Sequence, residues 1–277
     1  MPLDTKQLEA LQQQWKSKQQ KDNIKYLLMG ATGILVFLLI WQLAVKSGLV
    51  NEKMLPAPTT ILKTLVYKLN NKPPDGNVLL VNILASLQVA LSGFLSAIVI
   101  GIPLGLFMGW WKYADRFIRP IFELIRPIPP IAWIPLVVVW MGIGLKAKAL
   151  IIFFTAFVPC VINSYTGVKL TSQTLINVSK TFGAKNFEIF YKVGIPSALP
   201  MVFAGIRVAL GNAWSTLVAA EMLAASAGLG YMIQLGRTVA RPDIVIVGMV
   251  VIGAIGAVLS ALLSSLEKYF LRWKTMR

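Results

Sequence analysis

The chain has 277 residues, 56% of them hydrophobic, and sets 27 Lys and Arg against 11 Asp and Glu for a formal charge of +16. That apolar share exceeds the usual composition of a soluble domain, and the chain reads as an integral membrane protein. Histidine is absent and Cys160 is the single cysteine, which excludes a disulfide framework and a paired-thiol metal site and removes the commonest general base.

Residues 1–25 are polar and basic, without the short apolar core and small-residue cleavage pattern of a leader. They are expected to form a cytoplasmic N-terminal tail. A bilayer core of about 30 Å asks for about 20 apolar residues per helix. The stretches Tyr26–Val45, Ile83–Trp110, Ile118–Trp140, Ala149–Val168, Leu199–Leu223 and Ile244–Phe270 meet that need. Only helices and closed barrels satisfy backbone groups in lipid, and none of these stretches alternates with period two. An all-α membrane protein with six transmembrane helices follows, residues 26–277 forming one six-span domain.

The outer loop 46–82 carries Ile61, Leu62, Leu65, Val66 and Leu69 at helical spacing behind Pro58, with Thr59 or Thr60 as the expected helix start. Small residues at Gly93, Ala97, Gly101 and Gly105 in the second span, and at Gly248, Gly253 and Gly256 in the sixth, mark close helix approach. Trp110 and Trp111, beside Lys112, fit an interfacial aromatic belt. The third span holds Pro120, Pro127, Pro129, Pro130 and Pro135. Each internal proline deletes a backbone donor and crowds the carbonyl one turn earlier, so a kink or local unwinding is predicted there.

Ionisable groups inside spans are expensive and usually face a bundle interior or water. Glu123, Arg126, Arg207 and Glu221 qualify. Glu123 and Arg126 lie three residues apart on one helical face and either pair with each other or leave Arg126, beside freed backbone groups, to meet a passing oxyanion. Arg207 is expected to snorkel towards headgroups, and Glu221 to serve as a packing or gate carboxylate. Trp133 and Trp140, with Met141, form either a water-excluding gate or lipid-facing bulk. The candidate pathway therefore comprises Arg126, Pro127, Pro129, Pro130, Trp133, Trp140, Met141 and Glu221.

With both termini on one side, that side holds sixteen loop or tail Lys and Arg and the other holds nine, which orients the termini and the loop 169–198 towards the cytoplasm. The outer side stays basic, by steering anions or by touching lipid headgroups. No basic stretch is interleaved with exposed aromatics, so nucleic acid is not an expected partner.

The loop 169–198 reads as two amphipathic helices hinged at Gly183. Leu175, Ile176, Val178 and Phe182 recur before the glycine; Phe187, Phe190 and Tyr191 recur after it, with Asn186 as the expected cap and Gly194, Ile195 and Pro196 as the stop. A long structured loop of this kind suits a groove in a soluble partner, or else rests on anionic headgroups.

The spacing from Gly183 to Val193, Gly194, Ile195 and Pro196 resembles the EAA signature of permease subunits in binding-protein-dependent ABC importers of the type I fold. Asn177, Val178 and Ser179 stand where that signature has Glu-Ala-Ala, so its carboxylate has no counterpart. Leu55 to Pro58, Arg126 to Leu136, and Trp214 through Glu221 to Gly228, Leu229, Gly230 and Tyr231 resemble one branch of that superfamily, the permeases for nitrate, sulfonate, taurine and bicarbonate.

The resemblance implies a non-catalytic inner-membrane subunit, both termini cytoplasmic, that imports a small anion by alternating access. Its implied partners are two ATP-binding cassette ATPase subunits, a second copy of the permease, an external substrate-binding protein and membrane lipid. No GxxxxGK[ST] loop is present, so no cofactor is expected on this chain, and ATP and Mg are expected on the ATPase. The implied contacts to it are Asn177, Gly183, Ala184, Phe187, Phe190, Tyr191, Ile195 and Pro196. A secondary transporter or channel for small anions is the alternative, and it lacks an evident coupling-ion site.

Overall fold

The computed structural model describes residues 5–224 and 226–271; Arg272, Lys274 and Arg277 of the charge count lie outside them. Every regular element among the described residues is helical. The chain divides between Lys63 and Thr64 into two units.

In the first unit, α1 (Thr5–Lys46) is one unbroken helix that joins the polar tail to an apolar stretch, Leu28–Lys46, long enough to cross a bilayer. Its apolar side chains are exposed, as Ile34, Phe37 and Ile40 show, which suits a helix whose solvent is lipid. α2 (Pro58–Asn70) begins in this unit with proline in its first turn, where the missing N–H would be unpaired anyway. Neither threonine starts it, contrary to the sequence expectation. Thr59 donates its amide to Gln42 Oε1 at 3.2 Å, and Thr60 Oγ1 donates to Glu52 Oε1 at 3.0 Å.

The second unit contains α3 (Leu79–Trp110), α4 (Lys112–Ile125), a 3-10 turn (Pro130–Trp133), α5 (Ile134–Met141), α6 (Leu145–Lys169), α7 (Gln173–Thr181), α8 (Asn186–Ile189), a π turn (Phe190–Gly194), α9 (Ile195–Ala224), α10 (Leu229–Thr238) and α11 (Pro242–Phe270). The helices α3, α6 and α11, and the run Asn186–Met222, are each long and apolar enough to span a membrane. α4 and the segment Pro130–Met141 make one further span, bent by 80° at its break. With the apolar part of α1 the six expected spans are present.

α6 is the centre of this unit, packed between α3 and α9. Lipid is as apolar as leucine, so close packing has to hold such helices together. The α3 stripe supplies it. A Cβ at Gly93 would lie 2.5 Å from the Ala149 carbonyl oxygen, at Gly101 3.0 Å from Cys160 Cβ, and at Gly109 2.9 Å from the Tyr165 carbonyl oxygen. On the other flank a Cβ at Gly205 of α9 would meet Asn163 Cβ at 2.6 Å. Ala97, Ile152, Ala156, Cys160, Ala213 and Leu217 fill the buried seam. The sixth-span glycines divide: Gly248 packs on Ile233 and Gly256 on Trp214, whereas Gly253 faces open space.

Arg207 does not snorkel. It is paired with Glu267 of α11, a partner 60 residues away that no local spacing shows. The ion pair ties α9 to α11 and lowers the cost of each charge.

Candidate functional site

The break in the third span follows from its prolines. α4 ends at Arg126, whose amide still bonds Phe122 O at 2.9 Å. Pro127, Pro129 and Pro130 have no amide hydrogen to continue the ladder. Pro129 is extended (φ −58°, ψ 132°), and the chain restarts in the 3-10 turn, Ala132 bonding Pro129 O at 2.9 Å.

The bend opens a cavity of about 560 Å³ between this span, α6 and α9. Its walls are mostly apolar, including Ile121, Phe122, Phe157 and Trp133, whose ring stacks on Phe154 with centroids 5.3 Å apart. Arg126 is the charged residue of the lining, and Thr155, Asn212, Ser215 and Thr216 add hydroxyl and amide groups. Pro159 on α6 also lines it, and a proline there withholds the amide that would bond the Thr155 carbonyl. Of the sequence candidates, Arg126, Pro130 and Trp133 line this cavity. Pro127, Pro129, Trp140 and Met141 are exposed outside it. Asn212, Ser215 and Thr216 were missed, although their spacing sets three polar groups on one face of an apolar helix.

Phe122 and Arg126 also line a second cavity of about 190 Å³, towards the α7 end. Its remaining polar lining is Asp115, Arg119, Glu123, Tyr165 and Thr166. Glu123 lies between two guanidiniums, 3.6 Å from Arg126 and 3.8 Å from Arg119, and all three side chains are about half exposed. The Glu123–Arg126 pair foreseen from spacing is therefore present, with a third member. Tyr165 donates to Asp115 at 3.0 Å and receives an N–H from Arg119 at 3.5 Å.

Glu221 is placed elsewhere, in a buried polar knot. Its carboxylate accepts from Ser86 Oγ at 2.8 Å and from the Gly230 amide at 2.8 Å. Ser86 Oγ accepts the Leu229 amide at 2.8 Å, and Asn82 Oδ1 accepts that of Gly228 at 3.1 Å. Asn82 in turn donates to Asp75 at 2.6 Å, and Asp75 pairs with the fully buried Lys68. This line of bonds fastens the α10 N-terminus to α3 and α9, which is a packing role for Glu221.

In the loop 169–198, α7 is exposed along its whole length. It ends in a Schellman turn: Gly183 (φ +79°) bonds Lys180 O at 2.9 Å, and Ala184 bonds Ser179 O at 3.1 Å. That conformation favours glycine. Asn177 holds only a local bond, from Gln173 at 3.0 Å.

Beyond Gly183 two expectations fail. Asn186 does not cap its helix; its Oδ1 accepts the Trp110 indole N–H at 3.2 Å. Nor do Gly194, Ile195 and Pro196 end the helix, because the π turn carries it on into α9. The Ile195 amide bonds Phe190 O, five residues back, and the wider turn absorbs the donor and the space that Pro196 removes.

Trp110 and Trp111 are likewise not a lipid belt. They enclose Phe190, with centroids at 5.4 and 4.8 Å, and a Cβ on Gly194 would strike the Trp110 ring at 2.9 Å. Ile195 packs beneath, against Leu106, Val168 and Ala198. Phe182, Phe187 and Tyr191 stay exposed at 86, 69 and 66%, so the outward apolar face consists of these, and Phe190 is turned inward.

A bundle with six apolar spans, one of them broken around a cavity, defines a multi-pass helical membrane protein. A family profile described as the binding-protein-dependent transport system inner membrane component matches residues 101–275. An ABC transporter permease protein of Methanocaldococcus jannaschii is 38% identical over 92% of this chain and 96% of its own. The taurine transport system permease protein of Escherichia coli is 34% identical over 86% of each chain. The nitrate import permease protein of a Synechocystis strain is 32% identical over 86% of each. In fold the chain is similar to a solved structure of the inward-facing MetNI methionine ABC transporter, with a TM-score of 0.61 and 20% identity over 68% of this chain and 94% of that one. The chain belongs to the family of binding-protein-dependent transport system inner membrane components, and its fold is that of a type I ABC importer permease.

Proposed function

We propose that this chain is the permease subunit of an ATP-driven importer that carries a small oxyanion or an organic sulfonate into the cytoplasm by alternating access. Its partners in this reading are two ATPase subunits, a second permease copy and an external binding protein, with ATP and Mg held by the ATPase. The 560 Å³ cavity with Arg126 in its wall carries the substrate assignment. A guanidinium meets an oxyanion through paired N–H groups, and Thr155, Asn212, Ser215 and Thr216 supply hydrogen bonds without adding negative charge. Relatives named for taurine, aliphatic sulfonate, bicarbonate and nitrate transport support the same class.

Energy enters in this scheme where Phe182, Phe187 and Tyr191 meet the ATPase. ATP acts by favouring one arrangement of the partner over another, and the aromatic clamp on Phe190 passes the movement to α3 and, through the π turn, to α9. The test is reconstitution of permease, ATPase and binding protein with a panel of nitrate, bicarbonate, taurine and alkanesulfonates. The proposal expects one class to stimulate ATP hydrolysis and to be taken up. Uptake that continues unchanged with a catalytically dead ATPase would overturn it.

A further inference from the structure

Two cavities meet at Arg126, and the residue that faces it on one side only is Glu123. The larger cavity offers Arg126 no lining carboxylate; the smaller one offers Glu123 and Asp115. Glu123 is held without close hydrogen bonds, 3.6 and 3.8 Å from its two arginines, and water reaches all three groups. Such a pair exchanges partners easily. A bidentate contact between Arg126 and an oxyanion is the stronger arrangement, so an anion in the larger cavity takes Arg126 from Glu123. When the anion moves towards the α7 end it enters a compartment where that carboxylate competes for the same guanidinium.

We infer that Glu123 is a release-determining residue: a tethered carboxylate that displaces the transported anion from Arg126, with Arg119 setting how firmly Glu123 itself is held. This rests on the reading of the larger cavity as the anion pathway. Arg119 and Glu123 are one helical turn apart, as are Glu123 and Arg126, so all three share a face of α4 and its C-terminal cap. The lining of the smaller cavity pairs two arginines with two carboxylates. Its charge is thus balanced, which makes it a place to leave from and not a place to be held.

Inhibition from the inner side reads this exchange without interference from the binding protein, which acts outside. The complete transporter is reconstituted in proteoliposomes preloaded with graded taurine, or with nitrate where that is the anion imported, and uptake of the same labelled anion is followed. In Glu123→Gln the internal concentration that halves uptake falls about two- to fivefold, the span that the strength of an exposed ion pair allows, and the maximal rate falls with it. Glu123→Asp keeps the charge and restores the parent value. Arg119→Gln shifts the concentration the opposite way, because Glu123 is then left to Arg126 alone. An unchanged half-inhibiting concentration in Glu123→Gln, or a fall in Arg119→Gln, overturns the inference provided that Arg126→Gln impairs uptake. Full uptake by Arg126→Gln would instead remove the pathway assignment, and this inference with it.

Discussion

Gly228 has two independent reasons to be glycine. Its φ of +127° suits no side chain, and a Cβ there would collide with the Glu221 carboxylate. Gly228→Ala is expected to cost about 1–3 kcal/mol through backbone strain and the displaced acceptor. Thermal unfolding of the detergent-solubilised protein measures it. Gly144→Ala, at an extended position with open space around it, should leave the midpoint within a degree or two, on the order of a neutral surface change. In the pathway, Arg126→Ala is expected to lower transport about ten- to a hundredfold, as loss of a charge-assisted contact predicts, while the complex still assembles. Co-purification with the ATPase and uptake are the two readouts. Arg126 was legible because a charge among prolines in an apolar run is conspicuous. Thr155 and Asn212 were not, since a hydropathy window averages one polar group into its neighbours.

At the scale of elements, the joint between α8 and α9 matters most. Trp110 and Trp111 at the end of α3 grip Phe190, and Gly194 leaves room for the Trp110 ring. Replacing Phe187 and Tyr191 by alanine removes exposed apolar surface only. That double variant should weaken ATPase binding about tenfold or more, as loss of aromatic anchors at an interface does, without lowering thermal stability. Trp110→Ala is expected to do the reverse: the ATPase still binds, but substrate no longer stimulates hydrolysis. Equal effects of both variants on binding would contradict the division between outward and inward aromatics. The helical spacing of Phe187, Phe190 and Tyr191 was readable, yet spacing leaves open which residue turns inward. That depends on Trp110, about 80 residues earlier and one helix away. Pro196 misled for a related reason. Proline ends an α-helix, but a π turn just ahead of it has no amide bond at that position to lose.

Over the whole molecule, the apolar runs and the proline break were enough to set the number of spans, because lipid demands closed backbone hydrogen bonding whatever the packing. The long-range ties were not readable: Glu221 to Ser86, Arg207 to Glu267, and Lys68 to Asp75 depend on which helices become neighbours. Cys160 is 1% exposed, so the parent protein should not react with a membrane-impermeant maleimide. A cysteine placed at Phe182 in sealed cells should then be labelled only after permeabilisation, and one placed at Met54 should be labelled before it. Labelling of the Phe182 position in intact cells would reverse the orientation argued from charge. The π turn has one more consequence. A five-residue turn inserts a single residue into an otherwise continuous helix, and each residue advances an α-helix by about 100°. Deleting one residue within Phe190–Gly194 would leave a straighter, more regular helix. It would also rotate Phe187 and Tyr191 by about that angle relative to everything on α9, so their apolar face would point away from its present direction with every side chain intact. The irregular turn works as a fixed angular offset, and the gain in regularity would be a loss of aim.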